Sequence, residues 1–482
     1  MDRVTRAAVD AALAAGASYA DARLIETRTE RALVKNGVSE ALVANTDRGL
    51  GVRVIADGAW GFAGTSETGD GAVRDAARRA VDLARAAATT VAEPVRLAPV
   101  EPAVDEVPAR FEIDPDDVPI EDRLGLLMEC DRLMRAEGVG IATGYVSVLR
   151  RRQHFASSEG ASILTERIET GGGIEATAVA EGCAVRRSWP SSHGGQVMTR
   201  GWETIDEIAL PEHAARIAAE ARQLLDAPCC PSGPMDVILA GGQLALQLHE
   251  SCGHPIELDR VLGTEASYAG MSFLTPEKLG SFRYGSPIVN ITADATLPGG
   301  LGSFPYDDEG VPAQRSWIVR AGIFTGYLTS RETAARLGLP ASNGCMRADG
   351  WARLPLIRMT NVNLEPGEMS REEIIASTER GILMEDNLSW SIDDRRLNFQ
   401  FGCECGWLIE DGELTHLMRH PTYTGITPEF WGSCDAIADR ESWRVWGIPN
   451  CGKGEPGQTA HVGHGVSAAR FRNVRVGVVE DE

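Results

Sequence analysis

The chain of 482 residues contains no run of 18 apolar residues, so no membrane-spanning helix is expected. Lysine is almost missing: of 47 basic residues only Lys35, Lys278 and Lys453 are lysines, and the rest are arginines. With the heavy alanine and glycine usage this looks like coding bias and carries no mechanism. Positive charge is also in deficit, with 69 acidic residues and a formal net charge of -22, which argues against binding nucleic acid or an anionic membrane surface. The N-terminus lacks a basic segment followed by an apolar one, so no secretory signal is expected and the location expected is cytoplasmic. The ten cysteines lack the spacings of a disulfide framework, since Cys229 and Cys230 are adjacent and Cys403 and Cys405 flank one residue. They are expected to be reduced thiols, most of them in the core.

The length calls for two or three domains. Residues 4–15 read as a helix, followed by strand-like segments at 20–34 and 38–44. Residues 49–65 form a hairpin around an Asp57-Gly58 turn. Residues 71–88 read as a helix with Val73, Ala77, Ala80, Val81 and Ala84 on one face. Further helices are expected at 121–137 and 211–225, with an antiparallel meander over 139–187 between them. Residues 227–234 hold three prolines and a glycine and mark the domain boundary. The fold class predicted is α+β with two domains: an N-terminal domain (1–226) of antiparallel strands and helices, and a β-rich C-terminal domain (235–482) carrying the metal-binding helix.

One stretch names a chemistry. His249-Glu250-Ser251-Cys252-Gly253-His254 places two imidazoles around a short gap, with a carboxylate directly after the first. Neutral nitrogen ligands and a base to activate water are what a hydrolytic zinc site needs. In His-Glu-x-x-His the histidines are four apart and share a helical face. Here they are five apart, which on a regular helix separates them by roughly 140° instead of 40°. Both reach one metal only if the helix ends or unwinds between them, and Gly253 and Pro255 supply a stop signal.

Catalytic zinc takes three protein ligands and water, so a third ligand must come from elsewhere. The contenders are Cys451, Cys403 or Cys405, His416 or His420, and His461 or His464. Cys403 and Cys405 lie in an alternating strand, where a core role is favoured. Cys451 is preferred, because it is read in a loop whose glycines allow close backbone approach and near Lys453, which would help to hold a thiolate. Cys252 reads as a buried helix thiol. The glycine clusters at 171–173 and 299–302 read as turns, and the acidic run Asp307-Asp308-Glu309 reads as a solvated turn with a lesser prospect of binding a cation.

With these residues in hand, the chain resembles the TldD/PmbA metallopeptidase family over nearly its whole length. The resemblance rests on the 249–254 hexapeptide, Phe304-Pro305-Tyr306-Asp307-Asp308-Glu309-Gly310, Arg358-Met359-Thr360-Asn361, Gly406-Trp407-Leu408-Ile409-Glu410, Thr427-Pro428-Glu429-Phe430 and Cys451-Gly452-Lys453. It implies a TldD-like, catalytic subunit with His249, His254 and Cys451 as Zn2+ ligands and Glu250 as general base. It also implies a dimer, with a second copy or a TldE/PmbA-like paralogue, enclosing a cavity for extended, unfolded peptides. The activity expected is hydrolysis of peptide amide bonds. Three rivals stand beside it: a natural-product pathway step on an amino-acid-derived conjugate, a non-catalytic metal-stabilised regulatory subunit, and an iron–sulfur protein using Cys403, Cys405, Cys434 and Cys451.

Overall fold

The computed structural model describes residues 1–180, 182–454 and 457–477. The chain enters through α1 (Asp2–Ala14) into a long antiparallel hairpin, β1 (Tyr19–Lys35) and β2 (Val38–Ala56), which β3 (Ala59–Thr65) extends. The expected turn between β2 and β3 forms at Asp57 and Gly58, both at positive φ (50° and 80°), as a tight hairpin turn requires. The two strand segments expected over 38–44 and from 49 onward are one continuous strand. Helix α2 (Asp70–Ala88) then packs Val73, Ala77, Ala80, Val81 and Ala84 inward. It sits so close to β3 that a Cβ at Gly61 would lie 2.0 Å from the Ala80 carbonyl oxygen, so only glycine fits there.

The sheet is completed by β4 (Val104–Val107), β5 (Ile141–Ser157), β6 (Ser162–Ala180), β7 (Cys183–Trp189) and β8 (Gln196–Met198), in the order β3-β2-β1-β5-β6-β4 with β7 and β8 both on β6. Helices α3 (Ile120–Ala136), α4 (Glu203–Ile208) and α5 (Leu210–Asp226) cover its β5–β7 end, burying Leu127, Met134, Ile217 and Leu224.

Beyond Asp226 the chain is strand-rich. β9 (Gly233–Ala240) lies inside a seven-stranded sheet, parallel to Arg380–Ile392 on one side and antiparallel to Ala469–Val476 on the other. A six-stranded sheet includes Ile291–Asp294, Asn361–Leu364, Gln458–Val466 and Arg444–Lys453. Helix α6 (Gly241–Leu248) follows β9 directly. Its Leu244 and Leu248 share one core with Val237 and Leu239 of the first sheet and with Val362 and Val462 of the second. The helix is buried all round, as the dense run of leucines implies. The α+β class expected from the sequence is the one the chain adopts.

The acidic run departs from expectation. Asp307, Asp308 and Glu309 are buried, not solvated. Asp308 accepts from Arg23 of β1 (3.1 Å) and from Gln153 of β5 (2.7 Å). Glu309 pairs with Arg53 of β2 at 3.1 Å, and Arg53 also reaches Asp21 at 2.7 Å. Buried ions are tolerated only when so matched, and here the Arg23–Asp308 and Arg53–Glu309 pairs tie the N-terminal sheet to the C-terminal half. Replacing Arg53 by Met strands Asp21 and Glu309 as uncompensated buried charges. The expected cost is roughly 3–5 kcal/mol in urea unfolding. A loss below about 1 kcal/mol, the value of an exposed pair, would contradict this account.

Candidate metal centre

The hexapeptide does not end the helix. From His249 to Gly253 the backbone widens into a π-turn, and the His254 N–H donates to the His249 carbonyl. An i→i+5 hydrogen bond stacks residue i+5 over residue i, so the fifth residue replaces the fourth as the neighbour on one face. The rings of His249 and His254 accordingly stand 4.8 Å apart, edge to face. A tight 3-10 turn, His254–Ile256, follows. The expected stop at Gly253 and Pro255 is therefore corrected: the helix widens first and tightens afterwards. Gly253 serves packing, since a Cβ there would meet the Met359 sulfur at 2.2 Å.

Cys451 arrives from the far end of the sequence. It is not in a loop but on the strand Arg444–Lys453, opposite Ala460 in the hairpin with Gln458–Val466. Its Sγ lies 3.8 Å from His254 Nε2, and the ligand atoms of His249, His254 and Cys451 lie within 4.8 Å of one another. Tetrahedral zinc with bonds of about 2.0 Å to nitrogen and about 2.3 Å to sulfur separates such ligands by roughly 3.3–3.6 Å, so the cluster needs to close by about 1.5 Å at most. Among the described residues no other group of three or more potential ligands converges this way.

The protonation states suit a metal. Burial pushes His249 below, and His254 well below, the usual imidazole range, so both are neutral donors. Burial alone would raise the Cys451 thiol, but the Arg358 guanidinium and His254 outweigh it and leave it below its ordinary value. Arg358 also donates to the Cys451 carbonyl. Lys453, expected to hold the thiolate, binds Asp259 (2.7 Å) and the Ile357 carbonyl (2.7 Å) instead, with Glu257 at 3.4 Å.

Partners behind the rings select the tautomers. His464 Nδ1 faces the Val362 carbonyl at 2.9 Å, an acceptor only, so it carries the proton there and presents a bare Nε2. That Nε2 lies 2.8 Å from His249 Nδ1, which must then be the protonated nitrogen. The Nε2 lone pair of His249 is left for a metal. His254 Nδ1 likewise donates to Glu257 at 3.0 Å, leaving its Nε2 toward Cys451. A buried carboxylate or imidazole behind each of the two rings fixes its orientation and raises its donor strength.

Glu250 is buried beside the cluster and paired with Arg396. Of the other contenders, His464 stands behind a ligand position, and His461 meets the Glu169 carboxylate. His416 and His420 are exposed, and Cys403 and Cys405 are buried in the core. Cys252 is buried as expected, its thiol pushed up to about 12 by burial. Residues that sequence reasoning missed are Glu257, Arg396 and His193. His193 comes from the N-terminal half, stacks edge-on to Trp390 at 5.4 Å, and is pushed down to about 4, chiefly by burial. A cavity of about 830 Å³ lies between the halves, lined among others by Arg167, Glu169, Arg347, Ala460 and His461. None of the metal-centre residues lines it, although Ala460 is the cross-strand neighbour of Cys451.

Comparison with known proteins matches three family domains along the chain. Residues 232–478 match the PmbA/TldA metallopeptidase C-terminal domain, 20–88 match domain 1, and 113–225 match the central domain. A metalloprotease of Methanothermobacter thermautotrophicus is 30% identical over 95% of both chains. A zinc metalloprotease TldD homolog of Saccharolobus solfataricus is 27% identical over 51% of this chain and 52% of its own. The crystal structure of TldE from Thermococcus kodakarensis superposes with a TM-score of 0.76, covering 98% of this chain and 99% of that one at 17% identity, a likeness of fold.

His464 holds the His249 ring through its Nε2. Its replacement by Ala removes the acceptor that orients His249 and is expected to weaken Zn2+ binding about 10–100-fold. Competition with a chromophoric chelator reads this directly, and unchanged affinity would show that His249 needs no such support.

Proposed function

This chain belongs to the TldD/PmbA metallopeptidase family, and from that premise we propose that it is a zinc metallopeptidase cleaving amide bonds of extended or unfolded peptides. The single observation that carries the reading is the buried convergence of His249, His254 and Cys451 with Glu250 beside them. Two neutral imidazoles and a thiolate suit zinc better than the hard cations, which take oxygen ligands. A bound zinc would supply Lewis-acid polarisation of the scissile carbonyl and of the attacking water. His249, His254 and Cys451 hold it, and Glu257 and His464 keep the two imidazoles turned toward it.

Glu250 then works as general base. It takes the proton of the attacking water and passes it to the leaving amine nitrogen. Burial of the site excludes competing water and strengthens the electrostatic interactions within it. The protein works as a dimer, with a second copy or with a TldE/PmbA-like paralogue. It resides in the cytoplasm, in keeping with ten free thiols.

Two substitutions separate binding from chemistry. Glu250→Ala is expected to retain stoichiometric zinc while hydrolysis of unstructured peptides falls by at least about 100-fold, the lower range for a general base. Persistent turnover with metal bound would remove Glu250 from the role. Cys451→Ala is expected to lose most of its zinc on dialysis, as read by elemental analysis, and a stoichiometric variant would remove Cys451 from the ligand set.

A further inference from the structure

We infer that Arg396 is a further catalytic residue, which pairs with Glu250 at rest and with the carbonyl oxygen of the tetrahedral intermediate once Glu250 is protonated. The inference rests on the assignment of Glu250 as the base.

Arg396 sits in the turn between the strands Arg380–Ile392 and Asn398–Glu410. It holds φ at 63°, a left-handed conformation that costs energy in any residue but glycine. The turn enforces it. Asp393 Oδ1 accepts from the Arg395 N–H (3.1 Å) and the Leu397 N–H (2.8 Å), and Oδ2 accepts from Asn398 Nδ2 (2.6 Å). The Arg396 N–H donates to the Asp393 carbonyl (2.8 Å), and the Arg396 carbonyl accepts from Thr427 Oγ1 (2.9 Å). Such a turn delivers the side chain to one place.

That place is the Glu250 carboxylate. The two side chains are 16% and 8% exposed, so the pair is shielded from water. The Arg396 Nε is buried and has no hydrogen-bond partner among the described residues. Glu250 directly follows His249 in the chain, so the pairing places the Arg396 guanidinium beside the ligand cluster.

The charge movement of amide hydrolysis gives this placement its meaning. When a water O–H bond breaks, its proton goes to Glu250 and the oxygen's electron pair forms a bond to the carbonyl carbon. The π pair of the carbonyl moves onto its oxygen. Negative charge thus leaves Glu250 and appears on the substrate oxygen. At that moment Arg396 would become a half-buried cation that has lost its counter-charge, an unfavourable state. Its planar fork carries several donors, one of them already free, so it can follow the charge without breaking its fixed turn. When the C–N bond breaks, the proton passes from Glu250 to the leaving nitrogen, the carbonyl re-forms, and Arg396 pairs with Glu250 again.

The test uses the metal-loaded protein, an unstructured synthetic peptide that it cleaves, and the phosphonamidate analogue of that peptide as the tetrahedral anion. Arg396→Gln is expected to lower kcat about 100–1000-fold with KM within a few-fold, the loss typical of one oxyanion donor. It should weaken the phosphonamidate by a similar factor while leaving zinc content and affinity for the uncleaved peptide within about threefold. Arg396→Lys, which keeps the charge, should retain part of the kcat and of the phosphonamidate selectivity. Should the Gln variant fail to fold, the Lys variant's selectivity for phosphonamidate over peptide decides alone. Equal loss of phosphonamidate and peptide affinity would reduce Arg396 to holding Glu250 in position. A rise in KM confined to peptides bearing a carboxylate would make it a substrate-reading residue. Either outcome overturns the inference, whereas an active Glu250→Ala variant would instead overturn the assignment of the base.

Discussion

The centre depends on one backbone hydrogen bond, from the His254 N–H to the His249 carbonyl. An α-helical turn would point the two imidazoles in different directions, and no repacking of neighbours could bring them back. The wide turn is itself unfavourable, and the structure surrounds it with compensation. The Tyr284 hydroxyl donates to the Ser251 carbonyl at 3.0 Å, Trp431 donates to Ser251 Oγ at 2.9 Å, and Met359 fills the space at Gly253. Below it, the Tyr423 hydroxyl joins Gln243 (2.7 Å) and Gln247 (2.9 Å) within an otherwise apolar interior. These polar contacts give a buried helix a single rotational setting, which leucines alone would leave free.

Much of the architecture was legible because it is local. The face of Val73, Ala77, Ala80, Val81 and Ala84 repeats at helical spacing, and Asp57-Gly58 is a turn by its own chemistry. The hexapeptide announced His249, Glu250 and His254, and its extra residue announced an irregular helix. The kind of irregularity was misread, because glycine and proline signal a stop equally well whether the turn tightens or first widens. The burial of Asp307, Asp308 and Glu309 was misread for a different reason. A cluster of acids beside Gly310 looks solvated until Arg23 and Arg53 are seen, and those lie on strands 285 and 256 residues upstream of their partners.

The rest of the centre has no local signature. Glu257, Arg396 and His464 act through contacts that the chain makes only after folding, and nothing in their own surroundings distinguishes them from structural charges. Lys453 shows the converse. Its proximity in sequence to Cys451 suggested a partner for the thiolate, yet its ammonium is taken by Asp259 and the Ile357 carbonyl, and the task falls to Arg358. The two residues share a strand face, so it is the buried acceptors around the lysine, not the backbone, that carry its charge away from the thiol.

The strand position of Cys451 also bears on how the protein is made. A nascent chain that has emerged past His254 holds two imidazoles and a carboxylate but not the Cys451 thiol, whose strand pairs with Gln458–Val466 near the far end of the chain. Loop closure over such a span is slow and is rewarded last. The candidate metal centre is therefore completed by the same strand pairing that completes the sheet, and the thiol joins the two imidazoles only when these C-terminal strands are in place.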